Sequence, residues 1–257
     1  GTTGESPTLT REEHLAVVDL TVRTAAHRVP VIAGAGGNDT RKVIGLVEQL
    51  KKLGVDGILS VSPYYNKPTQ EGIYQHYRAI AQSTDLPVLI YNVPGRTGSN
   101  ILPDTLLRLA EIPNIAGVKE ASGDISQIGE ICTRAPARFR ILSGDDSLTL
   151  PLIALGGHGV ISVASNEAPG LMAKFAEACL DGRWDEARAL NRRLYPLMKA
   201  NFVEPNPIPV KSALAMMGKI EEVYRLPLVR ISEGARAKLA AALSNLGLIP
   251  PDKSGSG

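Results

Sequence analysis

The stretch "NIAGVKEASGD" (residues 114–124) holds two things that conflict in an ordinary buried strand. Ile115, Ala116, Gly117 and Val118 read as apolar strand, and Lys119 follows without a break. An ammonium in a dry interior costs several kcal/mol unless it is paired or gives up its proton. Lys119 is therefore either a strand-end lysine paired with Glu120 or Asp124, or a lysine that does chemistry. The same kind of short apolar run recurs along the chain: "VPVIAGAG" (29–36), "VDGILSVSP" (55–63), "LPVLIYNVP" (86–94), "FRILSGDD" (139–146) and "HGVISVAS" (158–165). Helical patterns lie between them, at 40–54, 70–84 and 102–112. A further helix at 10–26 opens on a capping box, Thr10 to Glu13. Apolar strands alternating with amphipathic helices describe an α/β fold with a parallel sheet covered by helices. The spacing, roughly 25 to 30 residues per unit, suits a doubly wound sheet or a (β/α)8 barrel.

Six strand patterns are visible, whereas a barrel closes with eight. On the barrel reading two strands precede residue 1, and "GTTGES" (1–6) is the loop leaving the second of them. Beyond residue 182 only helical patterns remain, at 184–202, 209–218 and 232–247. The expected organisation is a partial barrel carrying the site over 1–182, a helical domain over 183–249, and a disordered Gly/Ser-rich tail over 250–257.

Composition narrows the function classes. A net charge of +2 with no basic block, and 4% aromatic residues, argue against a nucleic-acid surface. No apolar run approaches the roughly 20 residues of a membrane span, and no signal peptide is visible. Cys132 and Cys179 form no disulfide framework and suit a reducing cytoplasm. "GAGGND" (34–39) has Asp39 where a dinucleotide fingerprint needs its last glycine. His14, His27, His76 and His158 share no metal-ligand spacing, so neither a metal nor another cofactor is expected.

In parallel α/β folds the strand ends and the loops after them build the site. Here they are rich in Thr, Tyr, Asn, Arg and Lys. A lysine held in a desolvated barrel is favoured as the neutral amine, which attacks ketones to form a Schiff base. Tyr91, at the end of another strand, can move the protons that step requires. Lys211, in "PNPIPVKSAL", is the rival lysine, expected in the first turns of a helix and facing solvent.

"GTTGES", "PYYNKPTQEGIYQHY", "YNVPGRTG", "GVKEASGD", "LSGDD" and "GGHGVISVASN", in this order, resemble the pyruvate-dependent class I aldolase superfamily and, within it, the dihydrodipicolinate synthase family. The resemblance runs from residue 1 to about 249. It implies a TIM barrel lacking its first one to two strands, with a C-terminal helical appendage. It also implies condensation of pyruvate with aspartate semialdehyde, in lysine and diaminopimelate biosynthesis, by a cytoplasmic homo-oligomer built as a dimer of dimers. Lys119 would form the Schiff base and Tyr91 would be the acid/base, linked through Thr3 to Tyr65, which the family supplies across a dimer interface. Thr2 and Thr3 would hold the pyruvate carboxylate. Gly144 and Ile161 would offer backbone groups, and Arg96 would clamp the carboxylate of the second substrate with its planar fork. A lysine-feedback site would include Ser6, His14, Asn38 and Tyr64. At the matching place of a glutamate this chain has Lys42, whose cation repels a ligand ammonium, so weak or absent feedback is expected. Two alternatives stand beside this one: a sialic-acid or keto-deoxy sugar acid lyase, and a catalytically inactive shortened barrel.

Overall fold

The computed structural model describes residues 1–250. Five parallel strands run β1 (Ile32–Gly34), β2 (Gly57–Val61), β3 (Val88–Asn92), β4 (Ile115–Glu120) and β5 (Arg140–Ser143). They hydrogen-bond in that same order. Sequential order around a parallel sheet is the barrel's, and it decides between the two α/β arrangements. β1 is shorter than its apolar run because Pro30 has no N–H and the N–H of Val31 donates to the Asp56 carboxylate at 2.7 Å.

The expected sixth strand at 158–165 is only a single bridge, Ser143 to Val160. His158 and Ile161 still donate backbone N–H groups to Ile141 and Ser143, at 2.7 and 2.8 Å. Then Asp146 takes the N–H groups of Val163 and Ala164, at 3.1 and 2.9 Å, and draws the chain out of the ladder.

The helices are α1 (Arg11–Ala25), α2 (Thr40–Lys52), α3 (Gln70–Gln82), the single turn α4 (Pro94–Thr97), α5 (Pro103–Ala110), α6 (Ile125–Arg134), α7 (Thr149–Ala154), α8 (Pro169–Leu180), α9 (Trp184–Ala200), α10 (Ile208–Met216) and α11 (Glu233–Asn245). The capping box of α1 forms as read: Thr10 accepts from the Glu13 N–H while Glu13 accepts from the Thr10 N–H. Asp39, Thr69 and Asp124 cap α2, α3 and α6 with their side chains. α2 and α3 each lay an i, i+3/i+4 stripe on the sheet, Val43, Val47 and Leu50 on α2, and Ile73, Tyr77 and Ile80 on α3. These meet the outward strand residues Ile58, Ile90 and Val118, all fully buried. Burying one such side chain contributes about 1.5–3 kcal/mol.

α9 packs on α8, and α11 packs on both α9 and α10. This C-terminal part grips the first residues of the chain. Lys211 of α10 forms an ion pair with Glu5 at 2.9 Å, both side chains largely covered, and also donates to the Val223 carbonyl. Lys211 thus sits in the first turns of its helix as expected, but it does not face solvent. Arg225 binds both carboxylate oxygens of Glu13, at 2.6 and 2.7 Å, and the Thr8 carbonyl. Of the tail expected at 250–257, all but Pro250 lies outside the described residues.

Candidate active site

Tyr91 and Lys119 are register partners on β3 and β4. Their neighbours Ile90 and Val118 are sealed under the helices, so by strand alternation Tyr91 and Lys119 point into the barrel. The Lys119 Nζ stands 4.1 Å from the centre of the Tyr91 ring. Burial lowers the amine to about 8; the charges of Asp145 and Asp146 oppose this, and Arg96 adds to it. Burial also raises the Tyr91 hydroxyl, against the pull of Arg96 and with the charge of Asp145 adding to the rise.

Neither strand-end partner considered for Lys119 takes it. Asp124 is spent capping α6. Glu120 points the other way, accepting from the Ser122 N–H at 2.7 Å and from Asn92 Nδ2 at 3.0 Å. The anions that do act on Lys119 are Asp145 and, less, Asp146; Asp145 lies two places beyond β5, its own proton affinity raised by burial and lowered by Lys119. The motif "LSGDD" contained this residue, but nothing in its spacing distinguished Asp145 from an ordinary turn aspartate.

Gly144 lies directly against the lysine. A methyl group there would stand 2.7 Å from Ala121 Cβ and 3.1 Å from Lys119 Cε, so the position must lack a side chain. Its N–H donates to the Glu120 carbonyl at 2.7 Å. The Ile161 N–H is likewise committed to Ser143, which leaves its carbonyl as the free backbone group.

Arg96 sits on α4, just after β3. Among the described residues it is exposed and forms no ion pair, yet its charge is felt by both Tyr91 and Lys119. A guanidinium so placed is a ready clamp for a carboxylate.

The two threonines divide their work differently from the expectation. Thr2 lies near enough to Tyr91 to offset part of the rise in its hydroxyl, whereas Thr3 Oγ1 accepts from Asn206 Nδ2 at 2.9 Å. The Thr3 hydroxyl, expected in the relay from Tyr91, thus accepts from Asn206 and ties the loop to the C-terminal helices. Tyr65 is 89% exposed, on backbone in the left-handed region (φ 73°), and within one chain it does not join Tyr91.

The residues of the expected feedback site fall in two groups. Asn38 Nδ2 donates to the Tyr64 carbonyl at 3.1 Å, and the exposed Lys42 lies one turn further along α2. Ser6 and His14 line a separate small cavity beside Gly34. No described hydrogen bond joins the groups. Among the described residues no set of three His, Cys, Asp or Glu side chains is placed to hold a metal, and no helix is long and apolar enough to cross a membrane.

Residues 1–246 match the Dihydrodipicolinate synthetase family. The chain is 52% identical over 249 residues to the 4-hydroxy-tetrahydrodipicolinate synthase of Syntrophus aciditrophicus, covering 97% of this chain and 86% of that protein. It is 54% identical over 250 residues to that of Prosthecochloris aestuarii, covering 97% and 84%. The crystal structure of dihydrodipicolinate synthase from Aquifex aeolicus superposes with a TM-score of 0.94 at 48% identity, over 96% of this chain and 85% of that one. The chloride-inhibited dihydrodipicolinate synthase from Acinetobacter baumannii, solved with pyruvate, gives 0.95 at 46% identity, over 97% and 86%.

Proposed function

The chain belongs to the dihydrodipicolinate synthetase family, and from that premise we propose that it condenses pyruvate with L-aspartate 4-semialdehyde to give 4-hydroxy-tetrahydrodipicolinate. The observation that carries the reading is the amine of Lys119, its proton affinity lowered to about 8 by burial, set against Tyr91 inside the barrel.

Neutral Lys119 Nζ attacks C2 of pyruvate. Tyr91 protonates the carbinolamine oxygen, which leaves as water, and an iminium joins the lysine to C2. The Tyr91 phenolate left by that step takes a C3 proton, which gives the enamine. Its C3 attacks the aldehyde carbon of the semialdehyde, and the alkoxide formed there takes a proton through Tyr91. The amino nitrogen of the second substrate then attacks C2, the bond to Lys119 breaks, and the free amine leaves the cyclic hydroxy product behind. Thr2 carries protons from Tyr91 toward the surface. Thr2 and Thr3, with the Ile161 carbonyl and the backbone of Gly144, hold the pyruvate end. Arg96 receives the carboxylate of the second substrate, and its lack of an ion-pair partner among the described residues favours that acid over a sugar-acid substrate.

The reading includes a homotetramer built as a dimer of dimers, in the cytoplasm. The outward placement of Tyr65 supports a neighbouring copy that receives it, and the free Cys132 and Cys179 suit a reducing compartment. It also assigns the site to residues 1–182 and a bracing role to 183–249, on the Glu5–Lys211 and Thr3–Asn206 contacts.

Borohydride reduction in the presence of pyruvate tests it. A pyruvate adduct on the Lys119 peptide is expected; an adduct on Lys211, or none on the intact chain, overturns it.

A further inference from the structure

Behind Lys119, between the sheet and α6, lies a closed set of polar side chains that the chemistry above does not use. Asn92 closes β3, Glu120 closes β4, and Asn100 ends the loop that carries Arg96. The Asn92 Oδ1 accepts from the Ile101 N–H at 3.0 Å, and this fixes which way round its amide lies. Its Nδ2 therefore faces two acceptors, Asn100 Oδ1 at 2.8 Å and Glu120 Oε2 at 3.0 Å. Asn100 Nδ2 donates to Gln127 Oε1 of α6 at 2.7 Å, and its backbone carbonyl accepts from Gln70 at 2.8 Å. Asn92 and Glu120 are fully buried.

The loop 93–99 thus starts and ends on two asparagines bonded to each other, and the pair is anchored to the residue next to Lys119. A loop pinned at both feet has little freedom left at its tip. Among the described residues Arg96 has no ion-pair partner to fix it, so its position depends on how the loop is held, by that anchorage and by Thr97 and Ser99, which bond within the loop and to Tyr65 and Pro63.

We propose that Glu120 is a positioning residue which, through Asn92 and Asn100, sets the place of the Arg96 guanidinium for the carboxylate of the second substrate. The inference rests on the role given to Arg96 above. It differs from a general structural role because it predicts an effect on one substrate only.

The donor pattern supplies the test. Glu120→Gln keeps the volume but leaves one oxygen for two donors; with that oxygen held by the Ser122 N–H, the shorter of the two bonds, the amide N–H faces Asn92 Nδ2, donor against donor. Asn92→Asp sets carboxylate against carboxylate. The double variant restores an N–H to oxygen bond, and the second oxygen of the new carboxylate is still free for the Ile101 N–H. Asn100 and Gln127 can then turn their amides over together. Each single change is expected to raise the KM for aspartate semialdehyde by about tenfold while leaving that for pyruvate within about twofold, and the double variant to recover most of the loss. Pyruvate trapping on Lys119 should persist in all three. Should a single variant fail to fold, Asn100→Ala reads the same loop with the Asn92–Glu120 bond left in place. Unchanged semialdehyde KM, or equal losses for both substrates with no recovery in the double variant, overturns the inference. A wild-type chain that traps no pyruvate overturns the reading beneath it, and the two failures are distinct.

Discussion

Replacing Asp145 with Asn should shift the pH dependence of pyruvate capture to lower pH. An ordinary lysine near 10.5 is neutral in about one molecule in a thousand at pH ~7.5. With burial holding Lys119 at about 8, about a quarter of the molecules carry the neutral amine at that pH. The barrel interior therefore raises the competent fraction about two-hundredfold, the tenfold-per-unit rule applied to the shift. Asp145 works against this, since its carboxylate favours the ammonium. With that charge removed, burial and Arg96 act against Asp146 alone, and the proton leaves at lower pH. The assay is initial-rate reductive trapping with saturating pyruvate, read by intact mass from about pH 6 to about 9.5. The wild-type rate should climb and level near 8, and the D145N limb should level at lower pH and be faster on the acid side. A wild-type rate still climbing tenfold per unit at the alkaline end would refute desolvation as the cause. A D145N limb unmoved or displaced upward would refute the assignment of Asp145.

Three further outcomes follow from the geometry. Gly144→Ala should cut trapping at least tenfold, because its methyl group meets Lys119 Cε at 3.1 Å, while overpacking costs only about 1–3 kcal/mol of stability on denaturant titration. Burial raises buried Glu167 from 4.5 to about 8, against its bond from Asn201 and with Asp146 adding to the rise. The folded state thus holds a proton that the unfolded state loses above 4.5, so stability should decline as pH rises from there to about 8; Glu167→Gln should flatten that slope of melting temperature against pH. L-lysine should inhibit weakly or not at all, and Lys42→Glu should strengthen inhibition; half-inhibition of the unaltered enzyme at low-millimolar lysine or below would end that reading.

Much of the fold was legible because strands and helices announce themselves by period, and caps such as Thr10 and Asp39 mark where helices start. Lys119 was legible for the opposite reason, as a charge where the period demands none. What escaped depends on contacts that sequence spacing does not carry. The run at 158–165 has the composition of a strand, and only the Asp146 carboxylate, reaching Val163 and Ala164, ends its ladder early. Lys211 reads as exposed because its partner Glu5 is 206 residues away. Thr2 and Thr3 are identical neighbours, and only Asn206 separates their roles. The linked set of Asn92, Asn100 and Glu120 was similarly hidden, since amides and acids at strand ends and in loops ordinarily read as surface.

The clasp between the first residues and the C-terminal helices has a consequence for the order of folding. Thr3 and Asn206 are 203 residues apart, and Arg225 reaches across 212 to Glu13. At translation rates of about 5–20 residues per second, the loop holding Thr2 and Thr3 leaves the ribosome about 10–40 s before the groups that hold it down. The sheet and its helices are built from neighbouring units and can assemble as they appear. The loop of Thr2 and Thr3 cannot, so the nascent barrel acquires its lysine well before that loop is held in place.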